Sequence, residues 1–143
     1  MAVITFAADS TTLVLNGYAF NSFVSGDILE LAPVNDLTSH VNSSAGGVNI
    51  QKRSDGDVHD LTIRVQRYSD DDTFLNSEMN QEQPTLFSGS LKENFVKDGA
   101  DGVESWLMEN GSLTTRPTAT KNDQDGNALM EYVIRFRSAS RSL

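Results

Sequence analysis

Asp60-Leu61-Thr62-Ile63-Arg64-Val65-Gln66-Arg67-Tyr68-Ser69-Asp70-Asp71-Asp72 holds the two patterns that decide the fold. From Asp60 to Tyr68 apolar and polar residues alternate. Leu61, Ile63 and Val65 point one way and Thr62, Arg64 and Gln66 the other, as in a strand with one buried face. The period then changes. Ser69 can cap a helix, and Asp70, Asp71 and Asp72 put negative charge in its first turn, where the dipole favours it. Ser69 and Asp72 have capping-box spacing, with Asp shorter than the usual Glu. Leu75 and Met79 share a helix face with Phe74 close by. One α-helix is therefore expected over about residues 69–80, ending before Pro84.

Outward from this segment the chain reads as β. Leu13-Val14-Leu15, Asn16-Gly17 and Tyr18-Ala19-Phe20 form a hairpin, because Asn-Gly supplies the positive φ angles of a type I′ turn. Asp27 to Ala32 and Thr85 to Val96 are further strands. Val48-Asn49-Ile50-Gln51-Lys52 alternates as a half-buried strand does. Val103 to Glu109, Asn110-Gly111 and Ser112 to Arg116 read as a second Asn-Gly hairpin. Ser54-Asp55-Gly56-Asp57 and Asp123-Gln124-Asp125-Gly126-Asn127 are turns. Ala128 to Arg137 is a closing strand, with Met130, Tyr132, Ile134 and Phe136 on its apolar face. Residues 33–47 are polar: a long loop, or a hairpin tip without its own core. The expected fold is mainly β, a β-sandwich or partly closed barrel of seven or eight strands with one helix, as a single domain over residues 1–143.

Composition narrows the function. The 143 residues carry 11 basic and 20 acidic side chains, a net charge of −9. Such a surface repels phosphate and argues against non-specific nucleic-acid binding. No apolar run approaches a membrane span, so no membrane insertion by this chain is expected. The opening Met1-Ala2-Val3-Ile4-Thr5-Phe6 lacks the basic region of a signal peptide, which points to a product made inside a cell. With no cysteine there are no disulfides, zinc thiolates or cysteine nucleophiles. His40 and His59 lack a second His at helical spacing, so a metal centre would need carboxylates from elsewhere. The Asp-rich turns lack the terminal Glu and flanking helices of an EF-hand. Gly99-Ala100-Asp101-Gly102 lacks the Lys and Ser/Thr of a phosphate loop, and Ser88-Gly89-Ser90 is no nucleophile elbow. Trp106 is expected in the core. No cofactor and no catalytic activity are expected.

Charge is also unevenly placed. Residues 1–51 contain Asp9, Asp27, Glu30 and Asp36 and no Lys or Arg, whereas Arg135, Arg137 and Arg141 cluster at the end. Opposite ends of two copies could meet through these groups.

The order of elements resembles the tail tube protein of contractile-tailed bacteriophages. The likeness is carried by Leu13 to Gly17, Gly26-Asp27, Gly46-Gly47 with Ile50, and Lys52-Arg53-Ser54-Asp55. It continues through Asp60 to Val65, Ser69-Asp70-Asp71 with Phe74-Leu75, Phe87-Ser88-Gly89-Ser90, and Tyr132 to Arg137. It covers nearly the whole chain as a pattern, without a short motif. The inner tube of type VI secretion is related in fold. The resemblance implies hexameric rings stacked into a tube whose lumen conducts DNA at ejection, inside a contractile sheath. It implies self-association, contacts with sheath, baseplate and tail terminator proteins, and passage of the tape measure protein and DNA. The place implied is the virion tail, assembled in the host bacterial cytoplasm. On this reading Asn35, Asp36, Thr38, Ser39, His40, Asn42, Ser43 and Ser44 make contacts between rings, and Arg135, Arg137 and Arg141 make contacts between subunits. The alternatives are an inner tube subunit of a secretion or injection machine, a monomeric β-sandwich binding module, and an enzyme with carboxylate chemistry.

Overall fold

A computed structural model describes residues 1–7, 9–24, 28–121 and 128–143. Eleven strands and one helix lie among them, more strands than the sequence reading expects. In chain order they are β1 (Ile4–Thr5), β2 (Thr11–Leu15), β3 (Tyr18–Ala19), β4 (Leu29–Pro33), β5 (Thr38–Asn42), β6 (Val48–Lys52), β7 (His59–Gln66), α1 (Asp70–Met79), β8 (Phe87–Lys97), β9 (Ala100–Leu113), β10 (Thr118–Lys121) and β11 (Ala128–Ser142). Nine strands form one antiparallel sheet in the order β3-β2-β8-β9-β11-β7-β4, with β1 added to β8 and β10 to β11. The path stays open, as a partly closed sandwich does. Gly26-Asp27 and the turn at 123–127 lie outside the described residues.

The strand that opens the argument behaves as its alternation requires. Leu61, Ile63 and Val65 are fully buried, and so are their neighbours Tyr132 and Ile134 on β11. The Asn16-Gly17 hairpin forms, with φ of 50° and 81° at its two turn residues. α1 starts at its Ser69 cap, whose side chain accepts the Asp72 N–H at 3.3 Å. The return bond of the box reaches one residue further back, because Asp72 accepts the Tyr68 N–H at 3.0 Å.

The second Asn-Gly hairpin does not form. β9 runs unbroken for 14 residues through Asn110-Gly111. Asn110 does take positive φ, 55°, but it spends it on a corner. Against β8 the register slips between Phe87↔Gly111 and Gly89↔Met108, so β9 carries an extra residue there. Against β11 the pairing steps from Phe136↔Gly111 to Ser138↔Glu109, leaving Asn110 and Arg137 out of it. Burial changes phase at the same point: Tyr132, Ile134 and Phe136 are buried on β11, and then Ala139. β9 and β11 bend here and line the core on both sides of the corner. Gly111 is required, since a Cβ would stand 2.5 Å from the Phe136 ring. The true turn is Asp98-Gly99, with φ of 50° and 80°, joining β8 to β9.

Two further differences bear on function. Of the two readings of residues 33–47, the structure shows the hairpin: β5 pairs with β6 as a separate two-stranded sheet. β6 is not half-buried, because all five of its residues are exposed. Trp106 is only partly buried, packed on the edge of the core with its ring 5.8 Å from that of His59.

Candidate assembly interface

The β5–β6 hairpin holds most of the residues expected to touch another ring. Thr38, Ser39, His40 and Asn42 lie on β5, and His40 is exposed with Nε2 3.1 Å from Thr38 Oγ1. Ser43 shapes the tip: its Oγ accepts the Gly47 N–H at 2.9 Å and its N–H donates to the Gly47 carbonyl at 2.7 Å. Ser44 is exposed on that tip. Asn35 and Asp36 sit at the base instead. Asn35 Nδ2 donates to the Asp55 carbonyl at 3.2 Å, and Asp36 is exposed. The base is fixed by the Arg53 N–H donating to the Leu37 carbonyl at 2.9 Å. It is also braced by a two-pronged Arg53–Asp55 pair with both contacts at 2.9 Å. That guanidinium holds the Asp55 carboxyl below its ordinary range.

Sequence reasoning named the polar residues of this hairpin and passed over its apolar ones. Residues directly opposite share a face, so Val48, Ile50 and Lys52 line up with Asn42, His40 and Thr38. Ile50 is 65% exposed and Val48 54%. The alternation is legible in the sequence; that nothing among the described residues covers it is not.

The three arginines part company. Arg135 grips Asp60 through two hydrogen bonds of 2.8 and 3.1 Å, directly across from it in the ladder. Arg141 Nε donates to Glu104 at 2.8 Å. Arg137 is exposed and has no carboxylate partner among the described residues.

A second apolar surface lies where the chain begins and ends. Ile4, Phe6, Phe95 and Leu143 line an open groove of about 510 Å³, with Glu93, Glu104, Lys97 and Arg141 among its walls. β1 reaches it by pairing with the end of β8 and by two hydrogen bonds of 2.9 Å between Val3 and Asp98.

Opposite in character is the anchor of α1. Asp71 is fully buried, and its carboxylate accepts from the Tyr18 hydroxyl at 2.8 Å and from the Asn21 and Ser22 N–H groups at 3.0 and 2.6 Å. Burial, then the bond to Asp71, pushes the Tyr18 phenol up to about 12. Tyr132 donates to Asp72 at 2.6 Å, and burial followed by that bond raises its phenol as well. These groups organise the fold, with Asp71 and Tyr132 fully buried. Among the described residues no three His, Asp or Glu side chains stand together to hold a metal, and no helix is long and apolar enough to cross a membrane.

No family model and no curated protein matches the chain in sequence. Solved structures do match in fold. A chain of the PVC extracellular contractile injection system, from its sheath-tube complex in the extended state, superposes with a TM-score of 0.66 at 12% identity, covering 96% of this chain and 91% of that one. A chain of the PVC sheath/tube terminator gives 0.68 at 12% identity, covering 97% of each. Hcp1 from Flavobacterium johnsoniae gives 0.55 at 14% identity, covering 92% of this chain and 94% of that one. This chain thus shares its fold with components of contractile injection systems and with Hcp1, the fold that the resemblance to tail tube proteins implied.

Proposed function

We propose that the chain is a structural subunit of the tube in a contractile tail, assembling as hexameric rings stacked around a lumen and enclosed by a sheath. The observation that carries this reading is an open sheet together with a hairpin that nothing among the described residues covers. Copies of the chain complete such a subunit, because a closed ring removes sheet edges and a neighbour covers the hairpin. On this reading baseplate and terminator proteins bound the tube, and the role is mechanical rather than catalytic.

For the lumen we infer a DNA-conducting phage tail, reached by assembly in the bacterial cytoplasm and with the tape measure protein inside before ejection. The net charge of −9 supports it, since a wall of like sign lets phosphate pass without sticking. The second reading, an injection-machine tube, is favoured by the likeness to the PVC chains.

Negative-stain electron microscopy with light scattering tests the proposal. Six-fold rings or hollow tubes are expected. A chain that stays monomeric at high concentration, with tail initiators added, would put the binding-module reading first. Packaged DNA beside the tubes in the native particle separates the phage tail from the injection machine.

A further inference from the structure

We infer that the Val48–Ile50–Lys52 stripe of the β5–β6 hairpin in one copy docks into the Ile4–Phe6–Phe95–Leu143 groove of a second copy, with Lys52 meeting Glu93. The inference rests on the tube reading and names the two surfaces that meet. An isolated two-stranded ribbon is marginal in water and needs a further layer to hold it. Among the described residues this one pairs only with itself, and every residue of β6 is exposed. Val48, Ile50 and Lys52 make one stripe along it: two apolar side chains, then a cation. The groove offers the complement. Phe6 is 68% exposed, and on the same face of β8 Phe95 stands between Lys97 and Glu93, the carboxylate the Lys52 ammonium would meet.

The charges fit for a reason internal to the chain. Glu93 lies directly opposite Glu104 in the β8–β9 ladder, an unfavourable like pair. Arg141 takes Glu104, so Glu93 is left without a cation among the described residues. Lys52 is likewise without a carboxylate. Within one chain no strand pairing joins the two surfaces: among the described residues β5 and β6 pair only with each other, and the groove is built from β1, β8, β9 and the end of the chain. Two different surfaces meeting between copies in one direction make a head-to-tail contact, which propagates into rings or stacks, whereas the reciprocal arrangement would close as a two-fold dimer and stop.

The chain has no cysteine, so an introduced pair reports cleanly. In the doubly substituted Phe6→Cys, Ile50→Cys protein, mild oxidation of assembled tubes is expected to give a ladder of covalent oligomers. Tubes that yield no cross-link would overturn the inference and leave the tube reading intact. Dimers from Ile50→Cys alone would also overturn it, by placing hairpin against hairpin. A wild-type chain that never assembles defeats both readings. Independently, Ile50→Asp is expected to raise the concentration needed for assembly at least about tenfold. An unchanged thermal unfolding curve for the unassembled variant shows that the fold is retained. An unchanged assembly threshold would count against the contact.

Discussion

Helix α1 and the β5–β6 hairpin are two ten-residue investments in regular structure, and they are secured in opposite ways. α1 is tied down inside the chain. Leu75 is fully buried, Phe74 stacks on Tyr18 with ring centroids 4.3 Å apart, and Asp71 and Asp72 collect hydrogen bonds from the β3–β4 connection and from β11. The hairpin has its own ladder, a fixed base and little else. The lesson is that burial and backbone pairing need not coincide. One element serves the stability of the single chain, and the other is formed with its second strand wholly exposed.

The largest effect belongs at the anchor. Asp71→Ala strands the Asn21 and Ser22 amides and the Tyr18 hydroxyl, and is expected to cost about 3 kcal/mol in urea unfolding. A loss under about 1 kcal/mol would mean that the helix is held by its apolar face alone.

That anchor was half legible. Three aspartates behind Ser69 read correctly as a helix start, but dipole compensation explains all three equally well. Only the fold shows that Asp71 turns inward while Asp70 does not. The corner at Asn110 failed for a related reason. Asn-Gly reports a need for positive φ, and hairpin turns and strand corners both need it. Asp98-Gly99 supplied the turn instead. At the candidate interface, Val48 and Ile50 showed which side of β6 is apolar, and alternation cannot say what covers that side. Arg135 and Arg141 looked like free cations because their partners, Asp60 and Glu104, are distant in sequence and meet them only through strand register.

A pair of glycines gives the next effect. Gly111→Ala drives a methyl into Phe136 and is expected to cost about 2 kcal/mol. Gly46→Ala at the hairpin tip meets open space and pays only for its positive φ, about 1 kcal/mol. Equal costs would show that the hairpin is packed more tightly than its exposure implies.

Alkaline titration separates the regions by chemistry. Tyr18 ionises near pH 10 in the unfolded chain and about 12 in the folded one. Its contribution is complete below pH 10 and is lost as pH rises through 12, because the unfolded state gives up the proton first. Tyr18→Phe should remove about one proton from the pH dependence of unfolding between those values. An unaltered slope would mean that the phenol is not held by Asp71.

The smallest effects on the single chain belong to the hairpin. Val48→Asp should change unfolding of the unassembled protein by no more than about 0.5 kcal/mol. Hydrogen exchange carries the same contrast into the assembly. Amides of residues 33–52 are expected to exchange readily in the free subunit and slow on assembly, while those of β7 and α1 stay slow throughout. Equal protection before and after assembly would remove the hairpin from the interface.

The corner at Asn110 has a mechanical side. Because β9 and β11 turn it without breaking, two continuous backbones run from one side of the core to the other, joined by a hydrogen-bond ladder from Leu113 to Ser105. A push along the subunit is then carried by covalent chain. To pull β9 along β11, a load would have to rupture that ladder in shear, many bonds at once, instead of peeling it open bond by bond. A sandwich of two unconnected sheets would offer only side-chain friction against the same load.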